Sequence, residues 1–376
     1  MGGGSGGHIT PIVAIIDSLR EQEPHADIRV WCDRKFAAQA RQLIGQTTRV
    51  DVIVSGKYRR YANLSLWLHL RYHLIKTHLA NLFDIFKVGF GFLQSLFKLI
   101  IWRPKVVFCK GGFVCLPVGL AARLLRIPLV IHDSDIVPGL TNRVLARYAN
   151  RIGTGAPIEN YPTYKKNITK HVGIPVREEF KILNAQQKAQ VKKDFDFSPD
   201  KKLVVVIGGG LGSKRLNQAA LEIAPRLVPE NLQMLIVSGA GRSLTIASDL
   251  APNVRAVPFM ASELPKLLGA ADVVVTRAGA TFLAELATVA ASIIIVPNHN
   301  LASDHQTKNA IVYETAGAAL VVDPRELEKS STILGEAILK IANDPKLSEK
   351  LGQNLHQFAK PDALERVVDM ILEMAR

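Results

Sequence analysis

The sequence predicts an α/β protein built of two doubly wound domains, and three observations carry that reading. Short apolar runs alternate with helical stretches along both halves of the chain. Glycine clusters recur where those runs give way to helices. The 376 residues, 48% hydrophobic and 21% charged, suffice for about two globular domains, each with its own core.

The chain opens on MGGGSGGHIT, a glycine loop leading into a helix with no strand before it. DIRVWC (27–32), VDVIV (50–54), KVVF (105–108) and PLVIH (128–132) then read as buried parallel strands, because apolar runs of this length fit a sheet covered on both faces. CLPVGLAARLLR (115–126) and GLTNRVLARYAN (139–150) read as helices between and after them. A second series runs through KLVVVIGGG (202–210), LQMLIVSG, ADVVVTRAG and ASIIIVPN. The boundary is placed near GIPVREEF (173–180), ahead of a Lys-rich helix over roughly 185–195. This division predicts domains at 1–175 and 176–360. The last segment, PDALERVVDMILEMAR (361–376), reads as an amphipathic helix that packs back onto the first domain.

Residues 61–104 break the alternation. They are rich in Leu, Phe, Trp and Ile, with basic residues every few positions, and their longest run without Lys, Arg, Asp or Glu is ten residues, 88–97. A membrane-spanning helix needs about 20 predominantly apolar residues, so the expectation is a pair of helices packed on the sheet. Their outer face is expected to adhere to a bilayer. Charge supports a surface of this kind: residues 1–175 hold 24 of the 47 Lys and Arg but only 10 of the 33 Asp and Glu. The net of +14 therefore falls entirely in the first half, which points to an anionic partner there: a phosphate-bearing ligand, a nucleic acid or an acidic membrane. The three cysteines, Cys32, Cys109 and Cys115, form no CxxC pair, which suggests reduced thiols in the cytosol, with neither a disulfide frame nor a zinc site. No signal peptide is expected, since no basic and then apolar leader is visible.

Three glycine clusters carry the chemistry: GGGSGGH (2–8), KGGFVCLP (110–117) and GGGLGSKRLNQ (208–218). Glycine admits positive φ and lets backbone N–H groups approach an anion at the positive end of the next helix. One such cluster is an ordinary turn; three in one chain point to phosphate in both domains. A dinucleotide-binding dehydrogenase is disfavoured, because Ser213 stands where the third glycine belongs and the nearest suitable acid, Glu222, lies inside a helix. No GxxxxGK[ST] occurs, which excludes a P-loop.

GGGSGGHITP, KGGFVCLPVGLAA, IHDSDIVPGLTNR, GIPVR, GGGLGSKRLNQ, RAGATFLAE and DHQTKNA stand in the order and spacing of the MurG family, and the resemblance covers essentially the whole chain. It implies a GT-B fold, two Rossmann-like domains facing a cleft. It also implies transfer of GlcNAc from UDP-GlcNAc to the C4 hydroxyl of MurNAc in undecaprenyl-diphospho-MurNAc-pentapeptide (lipid I), giving lipid II for peptidoglycan. By motif, Gly4, Ser5, Gly6 and Gly7 with Gly111 and Gly112 line the acceptor diphosphate loop, and His132, Asp133, Asp135 and Asn142 lie beside it. His8 is the candidate to assist the acceptor hydroxyl, its plainer role being a phosphate hydrogen bond. On the donor side the resemblance implies Gly209, Gly210, Gly212 and Ser213 with Arg277, Gly279, Ala280 and Thr281 around the phosphates. It further implies Phe259 and Met260 at uracil, Glu285 on the ribose hydroxyls, Gln306 and Asn309 at the sugar, and Arg177 near the hinge. No cofactor and no metal are implied, and no DxD motif occurs. The implied partners are UDP-GlcNAc, lipid I and the anionic inner membrane surface, with no nucleic acid. The implied location is peripheral, on the cytoplasmic face of the cell membrane.

Departures from the family pattern are few. Gly210 replaces a usual Ser, so Ser213 is expected to supply the hydroxyl; HDSD (132–135) replaces HEQN; GIPVR replaces GNPVR; and Phe282 replaces a Thr. Relatives also begin with a strand running into the first loop. Here Met1 stands at its last position or one beyond, which predicts a gap in the first sheet beside KVVF and an assigned start that lies too late. Two other readings remain: a related transferase acting on a soluble acceptor, disfavoured by 61–104, and a UDP-sugar-binding scaffold without catalysis, disfavoured by His8, Glu285 and Gln306 together.

Overall fold

The computed structural model describes residues 1–3, 10–45, 47–57, 74–210, 212–260, 262–299 and 304–376, with the side chains of 74–77 also left out. Contacts divide the chain into two units. The first takes Met1–Pro175 and the C-terminal Asp362–Arg376; the second takes Val176–His299 and Gln306–Pro361.

In the first unit, α1 (Thr10–Gln22) precedes β1 (Arg29–Cys32), α2 (Ala37–Ile44) and β2 (Arg49–Val52). β1 and β2 pair in parallel as a sheet of two strands. After a long helix, α3 (Leu74–Trp102), come β3 (Val107–Cys109), α4 (Cys115–Leu124), β4 (Leu129–Asp133), α5 (Leu140–Leu145), β5 (Arg151–Thr154) and β6 (Thr169–His171). These four strands form a second parallel sheet in the order β3-β4-β5-β6. The expected gap in the first sheet is present among the described residues, since no strand joins β1 to β3. Met1 begins one. Its amino group donates to the Phe108 carbonyl at 2.7 Å and its carbonyl accepts from the Lys110 N–H at 2.8 Å, a single parallel rung on β3. Beyond that rung lies a cavity of about 570 Å³ walled by Ile12, Ile16, Trp31, Leu99, Phe108 and Ile371, among others.

Of the expected pair of helices, one, α3, lies among the described residues; the rest of the stretch, 58–73, lies outside them. Over His78–Trp102 it is long and apolar enough to cross a membrane by length and composition. Its polar stripe, however, is docked on protein. Asn81, Asp84 and Ser95 are buried with Leu99. The Gln94 amide donates to the Val52 carbonyl at 3.1 Å and accepts from the Val54 N–H at 2.9 Å, satisfying the chain beyond β2. Lys98 pairs with Asp51 at 3.0 Å. The other face carries Phe83, Phe86, Phe90, Phe97 and Ile101, each more than 60% exposed.

The second unit holds α6 (Ala185–Asp194), β7 (Lys202–Ile207), α7 (Lys214–Leu227), β8 (Leu232–Val237), β9 (Val254–Val257), α8 (Leu264–Ala270) and β10 (Val273–Thr276). It continues with α9 (Ala280–Thr288), β11 (Ile293–Ile295), α10 (His305–Thr315), β12 (Leu320–Val321), α11 (Pro324–Lys329), α12 (Thr332–Ala342) and α13 (Pro345–His356). Its six strands are all parallel, in the order β12-β11-β10-β7-β8-β9. The series therefore winds outward in both directions from the β7–β10 pair, the switch point where such sheets bind ligands beyond their strand ends. Apolar cores fill both faces. The final helix, α14 (Ala363–Ala375), buries Val367, Val368 and Ile371 against Ile15 of α1 and Val130 of β4.

Candidate functional site

At the switch point of the second unit, β7 runs out through Gly208–Gly210 into α7. Gly209 (φ 88°) and Gly212 (φ 68°) both take the left-handed conformation. At Gly212 a Cβ would also overlap the Ser238 carbonyl, so only glycine closes this turn. Ser213 caps α7: its Oγ accepts from the Leu216 N–H at 3.3 Å. The same Oγ accepts from Arg277 Nη2 at 2.5 Å, while Arg277 Nη1 donates to the Val296 and Pro297 carbonyls, both at 3.0 Å. Arg277 thus ties the ends of β7, β10 and β11 together, and its burial pulls its pKa below the usual arginine range. The hydroxyl expected of Ser213 is already engaged by these two donors. Gly210 contributes its carbonyl, accepting from the Ala240 N–H at 3.0 Å.

The next strand end supports α9, whose N-cap is Gly279 and whose first turn holds Ala280 and the buried Thr281. One turn on, Glu285 is 4% exposed, and its carboxyl makes no hydrogen bond among the described residues. Burial pushes its carboxyl up to about 8, with the Arg177 guanidinium pulling the other way. A buried carboxyl without donors is costly and suits a ligand that brings hydroxyl donors of its own. Asn309 Nδ2 donates to the Ala278 carbonyl at 2.9 Å, and Gln306 Oε1 accepts from the Asn298 N–H at 2.9 Å, bracketing the β10 and β11 ends. Phe259 and Met260 follow β9 half-buried, Met260 against the core. Arg177 lies near Phe180, 5.4 Å from its ring centre, and 3.8 Å from Glu179.

In the first unit the matching strand ends carry Gly111 (φ 120°) and Gly112 (φ 87°) after β3. A Cβ on Gly112 would overlap the Gly3 carbonyl. Gly4, Ser5, Gly6, Gly7 and His8, expected beside this turn, lie outside the described residues. At the end of β4, His132 Nε2 donates to the Gly173 carbonyl at 2.7 Å and Asn142 Nδ2 to the His132 carbonyl at 3.1 Å. Asp133 accepts from the Tyr164 hydroxyl at 2.8 Å and from the Gly139 N–H at 3.2 Å. Burial first, and then the neighbouring Asp135, raise its carboxyl to about 6. Tyr161 donates to the Asp135 carbonyl at 2.7 Å. Three contributors were not singled out from sequence: Lys110, Tyr161 and Tyr164. Lys110 had a signal, a lysine closing an apolar strand directly before two glycines; the tyrosines had none.

A six-stranded parallel sheet with a glycine turn at its switch point is a frame shared by many nucleotide-binding proteins, and comparison with known proteins supplies the class. The model for the glycosyltransferase family 28 N-terminal domain matches residues 1–154, and that for its C-terminal domain matches 203–367. A UDP-N-acetylglucosamine–N-acetylmuramyl-(pentapeptide) pyrophosphoryl-undecaprenol N-acetylglucosamine transferase of Thermoanaerobacter sp. (strain X514) is 30% identical over 98% of this chain and 97% of its own. The protein of the same description from Leuconostoc citreum is 31% identical over 99% and 96%. The fold is also that of Acinetobacter baumannii MurG, at a TM-score of 0.69 and 23% identity over 99% and 97% of the two chains. The chain belongs to glycosyltransferase family 28, on its MurG branch.

Proposed function

We propose that the chain is an inverting N-acetylglucosaminyltransferase that moves GlcNAc from UDP-GlcNAc to the C4 hydroxyl of the MurNAc unit in lipid I, giving lipid II. The observation that carries the reading is the near full-length relation to transferases named for this donor and acceptor. The second unit takes the donor. Its diphosphate meets the N–H groups at the head of α7, with the Arg277 charge behind them. Ribose hydroxyls donate to Glu285, which turns its unpartnered burial into a use. The first unit takes the acceptor, whose diphosphate fits the Gly111–Gly112 turn. Attack of the C4 hydroxyl on the anomeric carbon, opposite UDP, forms the new glycosidic bond and breaks the bond to the UDP oxygen. The hydroxyl proton passes to a base, for which His8 is the candidate. Fixed N–H dipoles and Arg277 stabilise the charge growing on the departing UDP.

We infer further that α3 rests on the membrane that holds the acceptor's lipid, its aromatic face in the acyl boundary and the basic first half of the chain toward anionic headgroups. The transferase reading is tested with radiolabelled UDP-GlcNAc and a short-chain lipid I analogue, with and without EDTA. Label is expected in the disaccharide product at equal rates in both. No labelled product sinks the reading, and loss of product with EDTA alone overturns its metal independence.

A further inference from the structure

Lys110 is a lysine placed where a charge is costly to hold. It follows the last residue of β3 and is 1% exposed, yet its Nζ donates to Ser134 Oγ just past the end of β4. Its backbone N–H is the donor of the Met1 rung, at 2.8 Å. One residue therefore stands at the seam of three segments: residues 1–3, the glycine turn and the β4 end.

The β4 end is secured from several sides. Tyr164 and Gly139 hold the Asp133 carboxylate, Tyr161 holds the Asp135 carbonyl, Asn142 holds the His132 carbonyl, and His132 reaches Gly173. The glycine turn has no side chains with which to secure itself. Gly111 and Gly112 both adopt positive φ, and Gly112 sits so close to the Gly3 carbonyl that the two backbones share one surface. The Lys110 side chain is the polar link from this turn to the braced end of β4. The charges around the ammonium are suited to such a link. Burial works against its charged form and brings it down to about 8, while Asp133 and Asp135 from the β4 side favour that form.

We propose that Lys110 is a positioning residue for the acceptor: through Ser134 it fixes the Gly111–Gly112 turn so that its N–H groups stand ready for a lipid-linked diphosphate. This rests on the reading that the first unit takes the acceptor. Lys110 acts on the geometry of the next two residues of the backbone, without replacing the glycine turn as the diphosphate's contact. Donor binding belongs to the other unit and is not expected to notice the change.

The test uses the full chain with Lys110→Met, which keeps length and loses charge, and Ser134→Ala, which removes only the hydroxyl partner. Acceptor and donor KM are measured with UDP-GlcNAc and the lipid I analogue. Calorimetry with a short prenyl diphosphate, in saturating UDP to block the donor site, reads acceptor-side binding without turnover. Lys110→Met is expected to weaken acceptor KM and prenyl diphosphate binding by about tenfold or more, and Ser134→Ala by roughly three- to tenfold, as for loss of a charged hydrogen bond. Donor KM stays at the parent value in both. Unchanged acceptor KM and diphosphate affinity, or an equal rise in both KM values, overturns the proposal. Should Lys110→Met fail to fold, Ser134→Ala decides on the same readings. If the parent transfers nothing to the analogue but both variants still weaken prenyl diphosphate binding, the transferase reading falls and the role of Lys110 stands.

Discussion

If Glu285 holds the donor ribose as proposed, its burial should weaken the protein whenever the ligand is absent. Its carboxyl is pushed from 4.5 up to about 8 by burial. Between those values the folded chain holds a proton that the unfolded chain has released, so stability falls as pH rises through that window and levels off above it. Glu285→Gln keeps the shape and removes the titration. Without ligand, its melting temperature should match the parent's near pH 4.5 and exceed it increasingly up to pH 8. With UDP-GlcNAc the order reverses, because the parent gains ligand stabilisation that the variant has largely lost, and its donor KM rises by about tenfold or more for the lost charged acceptor. A melting difference that ignores pH would mean that another group titrates. The same residue marks what the sequence could reveal of the site. Glu285 and Arg277 were legible because RAGATFLAE is contiguous. Lys110 and Tyr164 were not, because their partners, Ser134 and Asp133, lie 24 and 31 residues away and meet them only across neighbouring strand ends. Ser213 was legible but has a less free hydroxyl than its motif suggests, since its cap and its Arg277 bond are both tertiary facts.

Among the elements, the split sheet of the first unit has the clearest energetic consequence. Val107 N–H donates to Pro128 on the β4 side, so the Phe108 backbone groups face the gap, where Met1 meets only the carbonyl of that residue. A strand of about five apolar residues joined ahead of Met1 would continue this rung between β3 and β1 and fill the cavity of about 570 Å³. Each aliphatic side chain fully buried contributes roughly 1.5–3 kcal/mol, and new ladder bonds satisfy both edges. A chain extended by Val-Ile-Val-Ile-Val should melt several degrees higher than the present one, whereas Gly-Ser-Gly-Ser-Gly of equal length should not. Equal melting of both extensions would show that the gap does not accept a strand. The split beside KVVF was an expectation from the sequence, and among the described residues no strand joins β1 to β3. The long apolar strands of the second unit were legible because KLVVVI and LQMLIV are buried at nearly every position. RIGT, TKH, VRAV and the two-residue β12 were not recognised as strands. They are short and mixed in character, and only their neighbours make them strands.

For the molecule as a whole, the proposed membrane contact rests on one half of the chain. The first 175 residues carry all of the net charge of +14, and α3 turns a row of aromatic and aliphatic side chains outward from Leu79 to Ile101. An apolar patch of this extent marks an interaction site. Its docked polar stripe, with Gln94, Lys98 and the buried Asp84, argues for a helix lying on the bilayer over one crossing it, since a crossing would strip those groups of their protein partners. The two arrangements predict different behaviour on vesicles of mixed phosphatidylglycerol and phosphatidylcholine. A surface-bound chain associates strongly at low salt, weakens as salt screens roughly 1 kcal/mol per basic residue at the surface, and is washed off by high salt at alkaline pH. Replacing Phe83, Phe86, Phe90 and Phe97 together with Ser should abolish most of the binding while leaving UDP affinity unchanged, because these rings are exposed and none supports the second unit. Undiminished vesicle binding by that variant would move the anchor elsewhere, to the undescribed residues 58–73 among other places. Retention of the parent on vesicles through the alkaline, high-salt wash would instead mean that α3 leaves its dock on the first unit and spans the bilayer.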